Sequence, residues 1–135
     1  MGRLGEMLIV KHLVNKGFHH IESNYRKRHG EIDLVMENKG IIHFIEVKSV
    51  SREIFIGNIQ DFHVIHETNK YKPEENVSRA KLRKISLAVQ TYLDERRVKD
   101  TDWQFDVALV YLDRVNSKAG IRFLRDIPLD HQCLL

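Results

Sequence analysis

Two apolar segments joined by a short turn restrict the fold of this chain more than any other feature of its sequence. Over residues 31–36 apolar and polar side chains mostly alternate, and residues 41–48 are rich in β-branched and aromatic side chains. Residues 37–40 between them include asparagine and glycine, which favour tight turns. We therefore predict an antiparallel hairpin in which Glu37 lies opposite Gly40.

The remainder of the chain predicts two helices and three further strands. Apolar residues recur at helical spacing over residues 3–16 and 77–93. Strands are expected at 18–24, 105–112 and 121–127, and an irregular loop or flap is expected at 51–76. The predicted fold class is α/β, a small mixed sheet flanked by helices in the order α-β-β-β-α-β-β.

Composition is that of an ordinary globular protein with a single domain over residues 1–135. Hydrophobic residues make up 42% and charged residues 30%, which argues against disorder. The single cysteine, Cys133, excludes an intrachain disulfide, and no apolar run reaches the roughly 20 residues of a membrane span. Because residues 1–12 lack a signal-peptide pattern, we expect a cytoplasmic protein with no membrane partner.

Charged residues inside the two hairpin strands are the strongest indication of function. Asp33 lies within the first strand, and Glu46 and Lys48 lie within the second. Aspartate is uncommon in strands, and an unpaired buried charge is costly. The predicted pairing puts Glu31 opposite Glu46. Side-chain alternation places Asp33, Glu46 and Lys48 on one face of the hairpin.

Two neighbouring carboxylates repel each other unless a cation lies between them. Their hard oxygen atoms suit Mg²⁺ or Mn²⁺, and the Lys48 ammonium group can reach the same place to stabilise charge on a phosphate. The alternative is a solvated strand face with an ordinary Glu46–Lys48 surface pair. Glu6 presents a similar choice. It heads an otherwise apolar helical row, but the helix dipole also favours an acidic residue in the first turn.

Three segments together resemble the YraN family, a bacterial family of predicted endonucleases that is distantly similar to archaeal Holliday-junction resolvases. The segments are Arg3-Leu4-Gly5-Glu6 at the start of a helix, Gly30-Glu31-Ile32-Asp33-Leu34 on one strand and Phe44-Ile45-Glu46-Val47-Lys48-Ser49 on the next. The resemblance implies membership of the PD-(D/E)xK, restriction-endonuclease-like superfamily and the corresponding fold. It also implies Mg²⁺-dependent hydrolysis of phosphodiester bonds. Our leading hypothesis is an endonuclease that acts on DNA and selects for structure, such as branched or junction DNA, while duplex, flap, junction and RNA substrates all stay open.

The resemblance assigns roles to individual residues. It places the catalytic pattern on Asp33, Glu46 and Lys48, with the carboxylates holding Mg²⁺ or Mn²⁺ and Lys48 positioning the attacking water. Glu6 matches the helix glutamate that completes the metal site in resolvase-like members. Glu31, if it faces Glu46, supports the metal ligands from behind. Because a duplex has two strands to cut, the resemblance also allows a homodimer.

Two basic clusters predict contact with a nucleic acid. One lies at residues 26–28 and the other on the second helix, and they suggest a surface more positive than the net charge of +3. The residues expected to bind the phosphate backbone are Arg26, Lys27, Arg28, Arg79, Lys81 and Lys84. The alternative for each cluster is a solvated face. A different class of function therefore stays open, a catalytically inactive module on a nuclease fold that binds nucleic acid or supports assembly.

Overall fold

The computed structural model describes residues 2–51, 63–68, 78–113 and 118–129. The helices are α1 (Gly2–Asn15) and α2 (Arg79–Glu95), and the strands are β1 (His19–Lys27), β2 (Gly30–Asn38), β3 (Ile41–Ser51), β4 (His63–Thr68), β5 (Asp102–Asp113) and β6 (Lys118–Leu124). The strands form one six-stranded sheet in the order β1-β2-β3-β5-β6-β4. Within these described ranges, neither helix has the length and apolar character needed to cross a membrane.

The predicted α/β class and the order α-β-β-β-α-β-β are confirmed, and one strand is added to them. Strand β4 lies inside the stretch 51–76 that we expected to be irregular, so that expectation was wrong for residues 63–68. Its partner is β6, far along the chain, and a local sequence pattern does not reveal such a pairing. The rest of the stretch from residue 52 to 76 lies outside the described residues.

The sheet combines antiparallel and parallel pairs. Strands β1, β2 and β3 form an antiparallel meander. Strand β5 lies parallel to β3 on its other side, and α2 directly precedes β5 along the chain. Strand β6 returns antiparallel to β5, and β4 pairs parallel to β6 at the edge. Strands β3 and β5 therefore occupy the centre of the sheet.

The two helices cover opposite faces of the sheet, each over its own apolar cluster. Leu13 of α1 belongs to one cluster and Val89 of α2 to the other. The consecutive β3 residues Phe44 and Ile45 also belong to different clusters, because successive side chains of a strand point to opposite faces. Leu129, after β6, adds to the cluster under α2.

The hairpin between β2 and β3 is present, but its predicted register was wrong. Glu37 pairs with Ile42 rather than with Gly40, a displacement of two residues. The turn residues Lys39 and Gly40 have φ angles of 52° and 80°. A two-residue turn with positive φ at both positions is type I′, whose twist matches that of the flanking strands. Because two residues is also the side-chain period of a strand, the displacement by itself exchanges no faces. The alternation of β2 nevertheless breaks beside Asp33, because Ile32 belongs to the cluster under α2 whereas Leu34 belongs to the cluster under α1.

Candidate functional site

The candidate site lies where β2 and β3 separate. Their backbone pairing ends at Leu34 and Ile45, and from there β2 lies beside β1 while β3 lies beside β5. The next residues in the same register are Asp33 and Glu46, which bound the opening that we call the fork. One carboxylate oxygen of Asp33 accepts a hydrogen bond from the backbone N–H of Val47 at 2.8 Å. This side chain therefore bridges the two strands where their backbones no longer pair.

The carboxyl groups of Asp33 and Glu46 lie close enough at the fork for each to shift the pKa of the other. Glu46 is 9% exposed, and burial together with the charge of Asp33 raises the pKa of its carboxyl to about 7. Burial also raises the pKa of Asp33, although the hydrogen bond from Val47 opposes this effect. Two adjacent buried carboxyl groups do not readily ionise together. A cation beside the pair favours its ionised form.

Helix α1 brings a third carboxylate, Glu6, to the same place. Asn24 on β1 donates a hydrogen bond from its Nδ2 to Glu6 Oε1 at 3.2 Å. Burial raises the pKa of Glu6, and the negative charge of Asp33 raises it further. Gly5 allows this close approach of α1 to β3, because a methyl group there would overlap the hydroxyl of Ser49. Glu6 thus lies near enough to Asp33 for their charges to interact.

The cation that contacts Glu46 is Lys81, in the first turn of α2. Its Nζ lies 2.6 Å from Glu46 Oε2, and this pairing raises the pKa of the Lys81 ammonium group. Ser78 fixes the helix start, because its hydroxyl accepts a hydrogen bond from the Lys81 backbone N–H at 3.1 Å. We predicted Lys81 for the nucleic-acid surface and Lys48 for this site. Lys48 lies two residues further along β3 than Glu46, with its side chain exposed.

Glu31 does not face Glu46, and this corrects the role that depended on the predicted register. It pairs with Arg26 on β1, and the Arg26 Nε lies 3.4 Å from a carboxylate oxygen of Glu31. The negative charge of Glu31 still reaches the site, since it helps to raise the pKa of Asp33 and of Glu6. Glu31 is therefore an exposed charge at the outer edge of the site.

The two predicted basic clusters lie side by side. Gly30 approaches α2 so closely that a methyl group on it would overlap the backbone carbonyl of Lys84. We call the six predicted nucleic-acid residues the basic surface: Arg26, Lys27, Arg28, Arg79, Lys81 and Lys84. Gly30 joins its two parts, because it brings the β1–β2 turn against α2 at Lys84. Three of the six form ion pairs with carboxylates: Arg26 with Glu31, Lys27 with Glu95 and Lys81 with Glu46. These three positive charges are thus partly neutralised within the protein.

A further buried carboxylate, Asp106 on β5, was missed by the sequence analysis. One oxygen accepts hydrogen bonds at 2.8 Å from the Gln104 side chain and from the Asp126 backbone N–H, and the other lies 2.8 Å from His43 Nδ1. These contacts fasten the chain after β6 to the central strands. Asp106 is therefore satisfied by a structural network, whereas Asp33 and Glu46 lie close enough to shift the pKa of each other.

A groove between α1 and β1 opens beside Glu6. Its volume is about 560 Å³. The apolar side chains of Met7 and Val10 line it together with the cationic Arg3 and Lys11. Because Glu6 is itself a lining residue, the groove connects the carboxylate cluster with the surface and gives a ligand a route to it.

The described residues contain no group of three or more acidic, histidine or cysteine side chains arranged to hold a metal ion by themselves. Protein magnesium sites commonly use one or two carboxylates, with waters and substrate phosphates completing the coordination. Asp33 and Glu46 fit a site of that kind, since a cation between them would compensate the charge that burial disfavours. Glu6 lies near enough to Asp33 to act on its charge and offers another oxygen donor.

Comparison with known proteins shows that most of this chain is similar to one protein family. The model of the family described as "Uncharacterised protein family UPF0102" matches residues 5–110. A UPF0102 protein of Desulforapulum autotrophicum is 37% identical over 126 residues, which cover 93% of this chain and 90% of the relative. A UPF0102 protein of Alkaliphilus oremlandii is 35% identical over 126 residues, covering 93% and 95%. One of Persephonella marina is 34% identical over 106 residues, covering 78% of each chain.

Proposed function

Since the chain belongs to the UPF0102 family, whose description names no activity, we propose a function from the site itself: a metal-dependent endonuclease that hydrolyses phosphodiester bonds in DNA. The observation that carries this proposal is the position of Asp33 and Glu46 at the fork, where Asp33 accepts a hydrogen bond from the Val47 N–H and Glu46 is 9% exposed. The resemblance to the YraN family and to the restriction-endonuclease-like superfamily is part of the proposal and supports the same activity. A cytoplasmic location accords with DNA as the substrate.

The residues of the proposed site come from both helices and from strands β1, β2 and β3. Asp33 on β2 and Glu46 on β3 would hold Mg²⁺ or Mn²⁺, with Glu6 on α1 as an additional donor. When bound, the divalent cation supplies activation of a water and stabilisation of negative charge on the phosphate. The Val47 N–H and the Asn24 amide orient two of the carboxylates through hydrogen bonds. The ammonium groups of Lys48 and Lys81 supply positive charge for a phosphate near the fork.

The basic surface supports DNA as the substrate. Arg28, Arg79 and Lys84 are exposed on the same side of the molecule as the β1–β2 turn and the start of α2. Such side chains contact phosphates without reading base sequence. The groove beside Glu6 offers room next to the site for part of the substrate. Selectivity for the shape of the DNA, as in branched or junction substrates, accords with these features better than selectivity for sequence.

A second function is favoured by one specific observation. Lys81 already neutralises Glu46 through an ion pair of 2.6 Å. A catalytically inactive module that binds nucleic acid or supports assembly would retain the basic surface and this ion pair. Such a module would show salt-sensitive DNA binding with no turnover, and its metal affinity would be unchanged by Asp33→Ala.

A cleavage panel tests the two functions. Linear duplex, flap and four-way junction DNA are incubated with Mg²⁺ or Mn²⁺ and each of four proteins: wild type, Asp33→Asn, Glu46→Gln and Glu37→Gln. We expect both site substitutions to reduce cleavage by on the order of 100-fold or more, because each removes a metal-ligand charge. Glu37, at the far end of β2, caps the hairpin turn and is the matched control, so Glu37→Gln should cleave like wild type. Cleavage that survives both site substitutions would refute the proposed function.

A further inference from the structure

We propose that Lys81 is an exchangeable counter-ion of Glu46: it neutralises this carboxylate in the free protein and moves to a substrate phosphate when a divalent cation takes its place. The inference rests on the proposed function and adds a regulation to the same site. It makes metal binding and nucleic-acid binding depend on each other through one side chain.

The two partners of this ion pair are held very differently. The Glu46 side chain is 11% exposed and is fixed within β3, whereas the Lys81 side chain is 54% exposed. Lys81 reaches the carboxylate from the surface with an Nζ–Oε2 distance of 2.6 Å. Since the lysine stem is long and flexible, its ammonium group can leave without uncovering the core. Glu46 has no such freedom, so any exchange at the fork involves movement of Lys81.

The position of Lys81 on α2 makes this movement a small one. The hydroxyl of Ser78 holds the Lys81 backbone N–H, so the main chain stays in place when the side chain swings. A cation in the first helical turn is disfavoured by the helix dipole, and the Glu46 carboxylate offsets that effect. A phosphate offers the same compensation, because anions are favoured near helix N-termini. Arg79 and Lys84 on the same helix place further positive charge around the destination.

A competition and a cooperation follow from this arrangement. Lys81 and a divalent cation compete for Glu46, so the ion pair weakens metal binding in the free protein. A DNA phosphate that takes up the Lys81 ammonium group removes this competitor. By thermodynamic linkage, DNA must then strengthen metal binding by the same factor by which metal strengthens DNA binding.

Calorimetric titration with Mn²⁺ tests this exchange. Wild type, Lys81→Met and Lys99→Met are titrated at about pH 8.5, where carboxylates are generally ionised. We expect Lys81→Met to bind Mn²⁺ on the order of 10-fold more tightly than wild type, within the usual range of coupling between sites. Lys99 is exposed beyond the other end of α2, so Lys99→Met removes the same charge away from the fork and should resemble wild type. Lys81→Gln, which keeps a hydrogen-bond donor for Glu46, gives the same comparison in case the methionine variant is unstable.

A second titration measures the cooperation directly. Saturating duplex DNA with phosphorothioate linkages should tighten Mn²⁺ binding several-fold in wild type and clearly less in Lys81→Met. Equal or weaker Mn²⁺ binding by both Lys81 variants would overturn the exchange. Glu46→Gln distinguishes the exchange from the proposed metal site. If Glu46→Gln weakens Mn²⁺ binding but the Lys81 variants do not change it, only the exchange is refuted. If Glu46→Gln leaves Mn²⁺ binding unchanged, both the exchange and the proposed metal site are refuted.

Discussion

The raised pKa of Glu46 predicts that the folded protein becomes less stable as the pH rises, in a way that Glu46→Gln abolishes. The carboxyl has a pKa of about 7 in the folded chain against an ordinary value of 4.5, because of burial and the charge of Asp33. A proton is therefore bound more tightly in the folded state. The contribution to stability is complete below the pKa of the unfolded chain and is lost as the pH rises towards the folded pKa.

The expected size of the loss follows from the two pKa values. The interval from 4.5 to about 7 corresponds to about 3 kcal/mol of unfolding free energy as an upper bound. Glutamine has the shape of the protonated carboxyl and does not titrate. Glu46→Gln and wild type should thus have similar stability near pH 4.5 and should diverge by up to about 3 kcal/mol above pH 7, with the variant the more stable.

Urea unfolding at several pH values, with a chelator present, provides the measurement. The half-buried Trp103 stacks edge-on against Phe44 in the core and reports unfolding by its fluorescence. Asn15→Ser, at the exposed end of α1, changes no ionisable group and should differ from wild type by a constant amount. A difference between Glu46→Gln and wild type that stays constant from pH 4.5 to 8 would refute the reasoning. In a separate series without the chelator, saturating Mn²⁺ should stabilise wild type against unfolding and leave the stability of Glu46→Gln unchanged.

Two further predictions concern the framework that holds the site. Gly5→Ala should cost about 1–3 kcal/mol of stability because the new methyl group overlaps the Ser49 hydroxyl, and adding Ser49→Ala should recover most of the loss. Ser49→Ala alone should be nearly neutral, since within the described residues its hydroxyl has no hydrogen-bond partner. Additive effects in this double-mutant cycle would contradict the predicted contact. Asp106→Ala should cost about 3 kcal/mol or more in thermal unfolding, because it leaves His43 and the Asp126 N–H without their buried acceptor. A loss below about 1 kcal/mol would show that the network contributes little.

The meeting of Asp33 and Glu46 was predicted from the alternation within residues 31–36 and 41–48, whereas Glu6 was assigned to the site by the family resemblance. The exact pairing was missed because it depends on the φ angles of Lys39 and Gly40. The displacement equals one strand period and so exchanges no faces by itself. The break in alternation between Ile32 and Leu34, which lie in opposite clusters, was not predicted.

Contacts between distant segments could not be predicted in the same way. The ion pair of Lys81 with Glu46 depends on how α2 docks on β2 through Gly30, which no local periodicity encodes. The pairing of His43 with Asp106 likewise requires the parallel alignment of β3 with β5. Among the described strands, β4 pairs with β6, which comes much later in the chain. Each of these features became visible only with the tertiary arrangement.

The fork exists only in the folded chain. Its functional groups come from α1, β2, β3 and α2, which are brought together only when the sheet and both helices have assembled. A nascent or partly unfolded chain therefore displays scattered charges, and no short fragment holds the cluster. A reaction at the fork would therefore not take place before folding is complete. If α1 were not docked on the sheet, Glu6 would be absent from the site even while β2 and β3 stayed paired. The site is therefore complete only in the intact fold.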